Sequence, residues 1–236
     1  MTSKLHQLRA RAAPISEAEI STVPWFSQLT TLEQDRVFGD MLVMVAEPGE
    51  ALIRIGRPPE YWFGLLEGLL KMSNNASDGT PMTFTGVAPG GWFGEGTVLK
   101  REPYRYNIEA LRRSRVTGMP VETFHWLIDH SLGFNRYVMF QLNERLGQFI
   151  AARETDRLVN PDLRVARNLA ALMDKRMSPG VGEHLRITQQ ELALLVGLSR
   201  QRVNEALKVL SAKGWIRTEY GGLRVLDFAG LQRGQL

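Results

Sequence analysis

Residues 187–226 read ITQQELALLVGLSRQRVNEALKVLSAKGWIRTEYGGLRVL, and the order of caps, apolar stripes and glycines in that run decides the fold of the C-terminal part of the chain. Thr188-Gln189-Gln190-Glu191 is a capping box, in which the Thr188 hydroxyl takes an orphan amide of the first turn and Glu191 reaches back to the cap. A helix therefore starts there, runs through Leu192, Ala193, Leu195 and Val196, and halts at Gly197-Leu198. Ser199, a favoured N-cap residue, opens a second helix. Two short helices so joined form a helix-turn-helix. In the second, Val203, Ala206, Leu207 and Leu210 fall at i, i+3, i+4 and i+7, which gathers Arg200, Gln201, Asn204 and Lys208 on the opposite face. Gly214 stands where the closing residue must take positive φ, and Trp215-Ile216-Arg217-Thr218 and Leu223-Arg224-Val225-Leu226 flank Gly221-Gly222 as a hairpin, the wing. A small helical bundle with a solvated polar face is the plainer alternative. It does not require capping box, turn glycine, second cap, terminal glycine and hairpin to fall in one consistent order.

The chain of 236 residues is 44% hydrophobic, enough for two domains or one large one. No apolar run reaches the length of a bilayer span, since Trp62-Phe63-Gly64-Leu65-Leu66 is broken by Glu67, so no membrane partner is expected. Lys4, Arg9 and Arg11 precede no apolar core, which argues against a secretory signal and for a cytoplasmic protein. The cysteine count of 0 excludes disulfides, thiolate zinc sites, a cysteine-ligated iron-sulfur cluster and cysteine-ligated haem. His6, His125, His130 and His184 are scattered and offer no i, i+4 metal pair. The glycine-rich stretch Gly90 to Gly96 lacks the lysine and Ser/Thr of a nucleotide-hydrolysing loop, and no Ser/His/Asp order is present. A non-enzyme is expected. The net charge is +4, and its placement says more than its size: residues 160–236 hold 12 Lys and Arg against 7 Asp and Glu, whereas residues 1–159 hold 17 against 18. That asymmetry suits a phosphate backbone as partner.

From about Phe38 to Met119 the pattern changes to short β-like runs, Met41–Val45, Ala51–Ile55, Tyr61–Leu66, Leu69–Met72 and Met82–Val87. They are punctuated by Pro48-Gly49, Gly56, Pro58-Pro59, Gly68 and Asp78-Gly79. Such spacing predicts a barrel or jelly roll. Ahead of it, Ala18 to Phe38 reads as short helices, with Pro24-Trp25-Phe26 as an apolar turn and Thr31-Leu32-Glu33 opening the second. Residues before about Pro14 read as loose. Behind it, a long helix from Phe134 to Leu158 repeats Met139, Leu142, Leu146 and Phe149 at 3/4/3 spacing, a coiled-coil seam flanked by Gln141, Glu144, Arg145 and Gln148. Asn160-Pro161 ends it. A dimer helix is expected, because helix-turn-helix proteins usually bind two half-sites with two-fold symmetry; the alternative is a helix packed on its own barrel.

A β-barrel, a long helix and a winged helix in that order resemble the cyclic AMP receptor protein and FNR family of bacterial transcription regulators over nearly the whole chain. The resemblance is carried by Phe93-Gly94-Glu95 followed by Arg105, which look like the phosphate-binding cassette, and by Ile187 to Glu191 with Val196 to Val203, which look like the family's helix-turn-helix signature. It implies an α+β fold: an effector domain at 1–133 with a cyclic-nucleotide-binding-like β-barrel or jelly roll, a dimerisation helix at 134–160 and a winged helix-turn-helix domain at 161–236. The partners it implies are a second copy of the chain, palindromic double-stranded DNA and RNA polymerase. Thr188, Gln190, Ser199, Arg200, Gln201, Arg202, Asn204 and Lys208 are the expected DNA-binding set: Arg200 pairs with guanine, Gln201 with adenine, and Thr188, Gln190 and Lys208 hold phosphates.

The expected effector site comprises Gly94, Glu95, Arg105, Tyr106, Phe149 and Ile150. In the family's cyclic AMP binders the glutamate bonds the ribose and the arginine pairs with the phosphate. Tyr106 stands where they carry a phosphate-bonding serine, and Phe149 and Ile150 where a threonine and a serine face adenine. An adenine amino group buried without partners costs about 1–3 kcal/mol, so these departures argue against cyclic AMP. A different nucleotide such as cyclic di-GMP, another small molecule, or no effector stay open, as does a barrel that no longer binds nucleotide and in which Glu95 and Arg105 simply form an internal salt bridge. A cyclic-nucleotide-binding module acting on a protein partner is the competing function.

Overall fold

The structure, a computed structural model, describes residues 11–75, 81–156 and 160–234. It begins with β1 (Ala13–Pro14), α1 (Glu17–Ile20), a 3-10 turn at Phe26–Gln28 and α2 (Thr31–Asp40). Capping boxes at Ser16/Glu19 and Thr30/Glu33 start both helices. The stretch before Pro14, read as loose, is anchored where it is described: Ala13 and Pro14 pair with Val43 and Leu42, and Arg11 is bonded to Glu50 at 2.5 Å. Its first ten residues, the turn at Asp78-Gly79 and the helix end at Leu158 lie outside the described residues.

Strands β2 (Leu42–Ala46), β3 (Ala51–Ile53), β4 (Tyr61–Glu67), β5 (Leu70–Asn75), β6 (Pro81–Val87), β7 (Trp92–Phe93), β8 (Asn107–Ala110) and β9 (Ser114–Pro120) follow, with α3 (Glu95–Lys100) between β7 and β8. They form two antiparallel sheets, in the orders β1-β2-β9-β4-β7 and β3-β8-β5-β6, so the domain is a two-sheet roll and not a closed barrel. Met44, Phe63, Leu65 and Val116 of one sheet share a core with Leu52, Leu70, Met72 and Ile108 of the other. β4 is apolar from Tyr61 to Leu66 because that stretch packs on both faces: Tyr61, Phe63 and Leu65 face that core, while Trp62 faces a second one made with Trp25, Trp92, Phe124 and Phe134.

The second core is closed by α4 (Val121–His130) and α5 (Leu132–Asp156). The long helix therefore begins two residues before the expected start. Asn160 does more than end it: its side chain caps α6 (Pro161–Leu172), with Pro161 in the first turn where a missing N–H costs nothing. The remaining elements are β10 (His184–Leu185), α7 (Gln189–Val196), α8 (Arg200–Ala212), β11 (Ile216–Glu219), β12 (Gly222–Val225) and α9 (Phe228–Arg233). The wing is a three-stranded sheet in the order β10-β12-β11, its first strand unforeseen. Its turn is Tyr220-Gly221, one residue earlier than read, since Gly222 is already paired with Glu219.

The winged domain docks directly on the roll. Leu69 and Ala88 of the roll join the core built by α6, α7 and α8. At Gly90 and Gly180 the two meet backbone to backbone: a Cβ on Gly90 would lie 2.4 Å from the Gly180 nitrogen, and the Gly180 N–H donates to the Pro89 carbonyl at 3.1 Å. Arg112, on the turn between β8 and β9, donates to the Arg186 carbonyl at 2.6 Å. Its Nε lies 2.9 Å from Glu191 Oε1, too poorly aligned for a hydrogen bond, so that contact is an ion pair. Glu191 thus spends one oxygen on the cap of α7, accepting from Thr188 N at 2.7 Å, and the other on the roll. Replacing Arg112 with Ala should remove about 1–3 kcal/mol from the docking contact. Hydrogen exchange is the check: faster exchange confined to the start of α7 is expected, with the sheets of the roll unaffected.

Candidate functional site

The helix-turn-helix is assembled by the signals its sequence carries. Thr188 Oγ1 accepts from Glu191 N at 3.1 Å, Gly197 takes φ 66° at the C-cap of α7, and Ser199 Oγ accepts from Arg202 N at 3.1 Å to start α8. Val203, Ala206, Leu207 and Leu210 are buried as the stripe requires. Outward, Thr188, Gln190, Arg200, Gln201 and Lys208 are exposed, and Arg200 and Lys208 make no ion pair among the described residues. Asn204 is half-buried, its Oδ1 accepting from Gln189 Nε2 at 3.2 Å.

Two members of the expected DNA-binding set have internal duties. Ser199 spends its hydroxyl on the cap, and Arg202 turns inward to Asp162 of α6 at 2.5 Å, with its side chain 29% exposed. That ion pair ties α8 to α6, so Arg202 is a strut of the domain and not a free contact. In the wing, Glu219 bonds both Arg217 (2.9 Å) and Arg224 (3.0 Å), and Arg224 also bonds Glu183 at 2.9 Å. The Arg224 and Arg217 hydrogen bonds hold the Glu219 carboxyl below its usual range. Tyr220 at the wing tip is fully exposed.

The residues expected to form an effector site are not brought together as the sequence suggested. Glu95 opens α3 and is 2% exposed, yet its partner is not Arg105. Arg145 of α5 donates through Nε to Glu95 Oε1 at 2.7 Å and through Nη2 to the Trp92 carbonyl at 2.6 Å. Burial works to lower the Arg145 pKa, and the charge and hydrogen bond of Glu95 overcome it and hold the guanidinium above its ordinary value. Arg105 is 81% exposed and leans at 3.2 Å on Glu102, which also binds Lys100. The internal Glu95–Arg105 pair, one of the alternatives the sequence left open, does not form: Glu95 pairs with Arg145, and Arg105 lies exposed ahead of β8. Tyr106 sits over the start of α3, where a Cβ on Gly94 would lie 3.7 Å from its hydroxyl. Burial, then the charge of Glu95, push its pKa up to about 12, so it is a neutral phenol able to donate.

Phe149 and Ile150 do not join this cluster. They are 43% and 57% exposed and continue a bare apolar stripe on α5 with Met139 and Leu146, whereas Leu142 of the expected seam is half-buried against the roll. A neighbouring face of α5 carries Phe134, Val138, Gln141 and Arg145, inward at i, i+4, i+7 and i+11. Gln141, read as flanking the seam, is 2% exposed and donates to the Arg176 carbonyl at 3.2 Å. Arg145 and Gln141 are thus the residues that sequence reasoning misplaced; their spacing from Phe134 and Val138 was the signal that assigns them to the inward face.

A model of the cyclic nucleotide-binding domain matches residues 43–131, and a model of the Crp-like helix-turn-helix domain matches residues 163–233. The chain belongs to the CRP/FNR family of transcription regulators. Among its relatives, the transcriptional regulator SdrP of Thermus thermophilus is 29% identical over 201 residues, covering 82% of this chain and 89% of that protein. The CRP-like cAMP-activated global transcriptional regulator of Mycobacterium tuberculosis is 28% identical over 198 residues, covering 78% and 84%. The fold agrees with that of FixK2 from Bradyrhizobium japonicum, at TM-score 0.65 and 18% identity over 81% of this chain and 95% of that one. These CRP/FNR relatives are regulators and not enzymes. Among the described residues no helix is long and apolar enough to cross a membrane, and no group of His, Asp or Glu is placed to hold a metal.

The Glu95–Arg145 pair makes a sharp stability test. Arg145→Ala should cost about 3–5 kcal/mol, because it strands a buried carboxylate whose Oε2 already lacks a partner. The double variant Glu95→Leu/Arg145→Met should recover most of that loss, and urea denaturation followed by tryptophan emission measures both.

Proposed function

We propose that this CRP/FNR-family chain is a homodimeric, sequence-specific DNA-binding regulator whose effector is not cyclic AMP. It divides into an effector domain at 1–133, a dimerisation helix at 134–160 and a winged helix-turn-helix domain at 161–236. The observation that carries the reading is the solvent face of α8, where Arg200, Gln201 and Lys208 stand exposed on a helix held rigidly by capped ends and a buried stripe. Arg200 pairs with guanine through O6 and N7, Gln201 with adenine through N6 and N7, and Thr188, Gln190 and Lys208 hold phosphates. Asn204 adds an amide contact. The operator is a palindrome with half-sites about 34–36 Å apart or a multiple of that, and RNA polymerase is the protein partner through which binding is read out.

Dimerisation is supported by the stripe of Met139, Leu146, Phe149 and Ile150, which nothing in the single chain covers among the described residues. The case against cyclic AMP rests on the pocket. Glu95 is already bonded to Arg145, Arg105 faces solvent, and Tyr106 leans over the start of α3, so the residues that would take ribose and phosphate are not poised for them.

Leu146→Glu should yield monomers in sedimentation and abolish operator binding; a mutant that remains dimeric shows the stripe is not the interface. Random-sequence selection with the wild-type protein should enrich a palindrome, and its absence removes the regulator reading. Titration calorimetry with cyclic AMP should give no tight binding, and a sub-micromolar constant overturns that part of the proposal.

A further inference from the structure

Glu205 is the residue on α8 that none of the preceding roles uses. The buried positions Val203, Ala206, Leu207 and Leu210 centre on one side of the helix, and at 3.6 residues per turn the opposite side is occupied by Gln201, Glu205 and Lys208. Arg200 and Asn204 stand toward its flank. Glu205 therefore lies in the middle of the surface that meets DNA, with its side chain 52% exposed. Its one ion pair is long and shared. Arg202 Nη1 is 3.8 Å from Glu205 Oε2 but is committed to Asp162, and no other ion pair reaches the carboxylate among the described residues. Glu205 Oε1 accepts from Gln201 Nε2 at 3.3 Å, one helical turn back.

A carboxylate accepts hydrogen bonds only, and it has about four lone-pair sites, of which Gln201 uses one. Facing a polyanion, it is repelled unless a donor meets it. On the major-groove edges guanine and thymine present only acceptors, adenine sets its amino group beside the N7 acceptor, and cytosine presents its N4 amino group alone. We propose, on the reading of the chain as a DNA-binding regulator, that Glu205 determines specificity in two ways. It accepts from a cytosine amino group and rejects base pairs that present acceptors there, and it positions Gln201. With one amide hydrogen held by Glu205, Gln201 turns its other hydrogen and its Oε1 outward together, the donor and acceptor that adenine N7 and N6 require. Gln201 and Glu205 thus read neighbouring base pairs as one unit.

The test is random-sequence selection with the full-length wild type, Glu205→Ala and Glu205→Gln, with thermal unfolding to verify that these exposed-site variants fold. The wild type should enrich cytosine next to the adenine read by Gln201. Glu205→Ala should lose the cytosine preference by on the order of tenfold, and weaken the adenine preference with it. Glu205→Gln should move the cytosine position toward adenine, since an amide suits adenine's donor and acceptor. A motif that Glu205→Ala leaves unchanged at every position, with all sequences bound more tightly alike, overturns the proposal by making the charge a bystander. So does a result in which the only relaxed position is an A·T pair. If the wild type itself enriches no motif, the regulator reading fails first and this inference falls with it, which keeps the two failures apart.

Discussion

The packing of Trp62 is the constraint from which the rest of the molecule follows. Its ring lies 4.3 Å from Trp92, 5.6 Å from Trp25, 5.2 Å from Phe124 and 5.5 Å from Phe134, centroid to centroid, so strand, N-terminal helices, α4 and α5 converge on one aromatic cluster. Each such ring removes roughly 150–250 Å² from water, which at about 25 cal/mol per Å² is an upper estimate of about 4–6 kcal/mol. That cluster clamps the first half of α5 to the roll through Phe134 and Val138. Once the helix is clamped, its rotation is set. Arg145 is delivered to Glu95, Gln141 to the loop between α6 and β10 of the winged domain, and the stripe from Met139 to Ile150 is turned away from the body.

The indole N–H groups of Trp25 and Trp62 have no oxygen or nitrogen acceptor in that cluster. Phe134 is edge-on to both, at interplanar angles of 75° and 84°. The cluster is held by shape and dispersion, with few polar bonds to define it. The winged domain is organised differently, by capping boxes, N-caps and the Arg202–Asp162 bridge. One chain therefore uses an apolar aromatic hub for the part that sets helix orientation and a capped, ion-paired scaffold for the part that meets DNA.

That difference explains how much was legible in the sequence. A cap, a helix stripe and a terminal glycine are local signals, and the helix-turn-helix could be read from Thr188 to Gly214 with its turn glycine and second cap in the observed places. The wing slipped by one residue because consecutive glycines leave the turn position open, and only the pairing of Glu219 with Gly222 settles it. The roll was visible as alternating strands and glycines, yet β8 and β9 went unread, because Asn107–Ala110 is short and Ser114–Pro120 mixes polar and apolar residues buried on both sides. The surroundings of Glu95 were the least legible. Glu95 and Arg145 are fifty residues apart, and sequence proximity favoured Arg105. Reading α5 as a single seam also hid its second, inward stripe, which carries the arginine.

The pairing of the wing arginines changes how the protein discriminates among DNA sequences at different salt concentrations. Affinity for any duplex falls with salt in proportion to the phosphates a protein neutralises with free cations. Here Arg217 and Arg224 are already satisfied by Glu219 and Glu183, Arg202 by Asp162, and Glu205 adds a negative charge to the reading face. Those three arginines reach a phosphate only by giving up their partners, whereas Arg200 and Lys208 make no ion pair among the described residues. An arginine that must break an internal ion pair to meet a phosphate adds less to sequence-independent attraction than its charge implies. The salt dependence of DNA binding should therefore be shallower than the 12 Lys and Arg of residues 160–236 suggest.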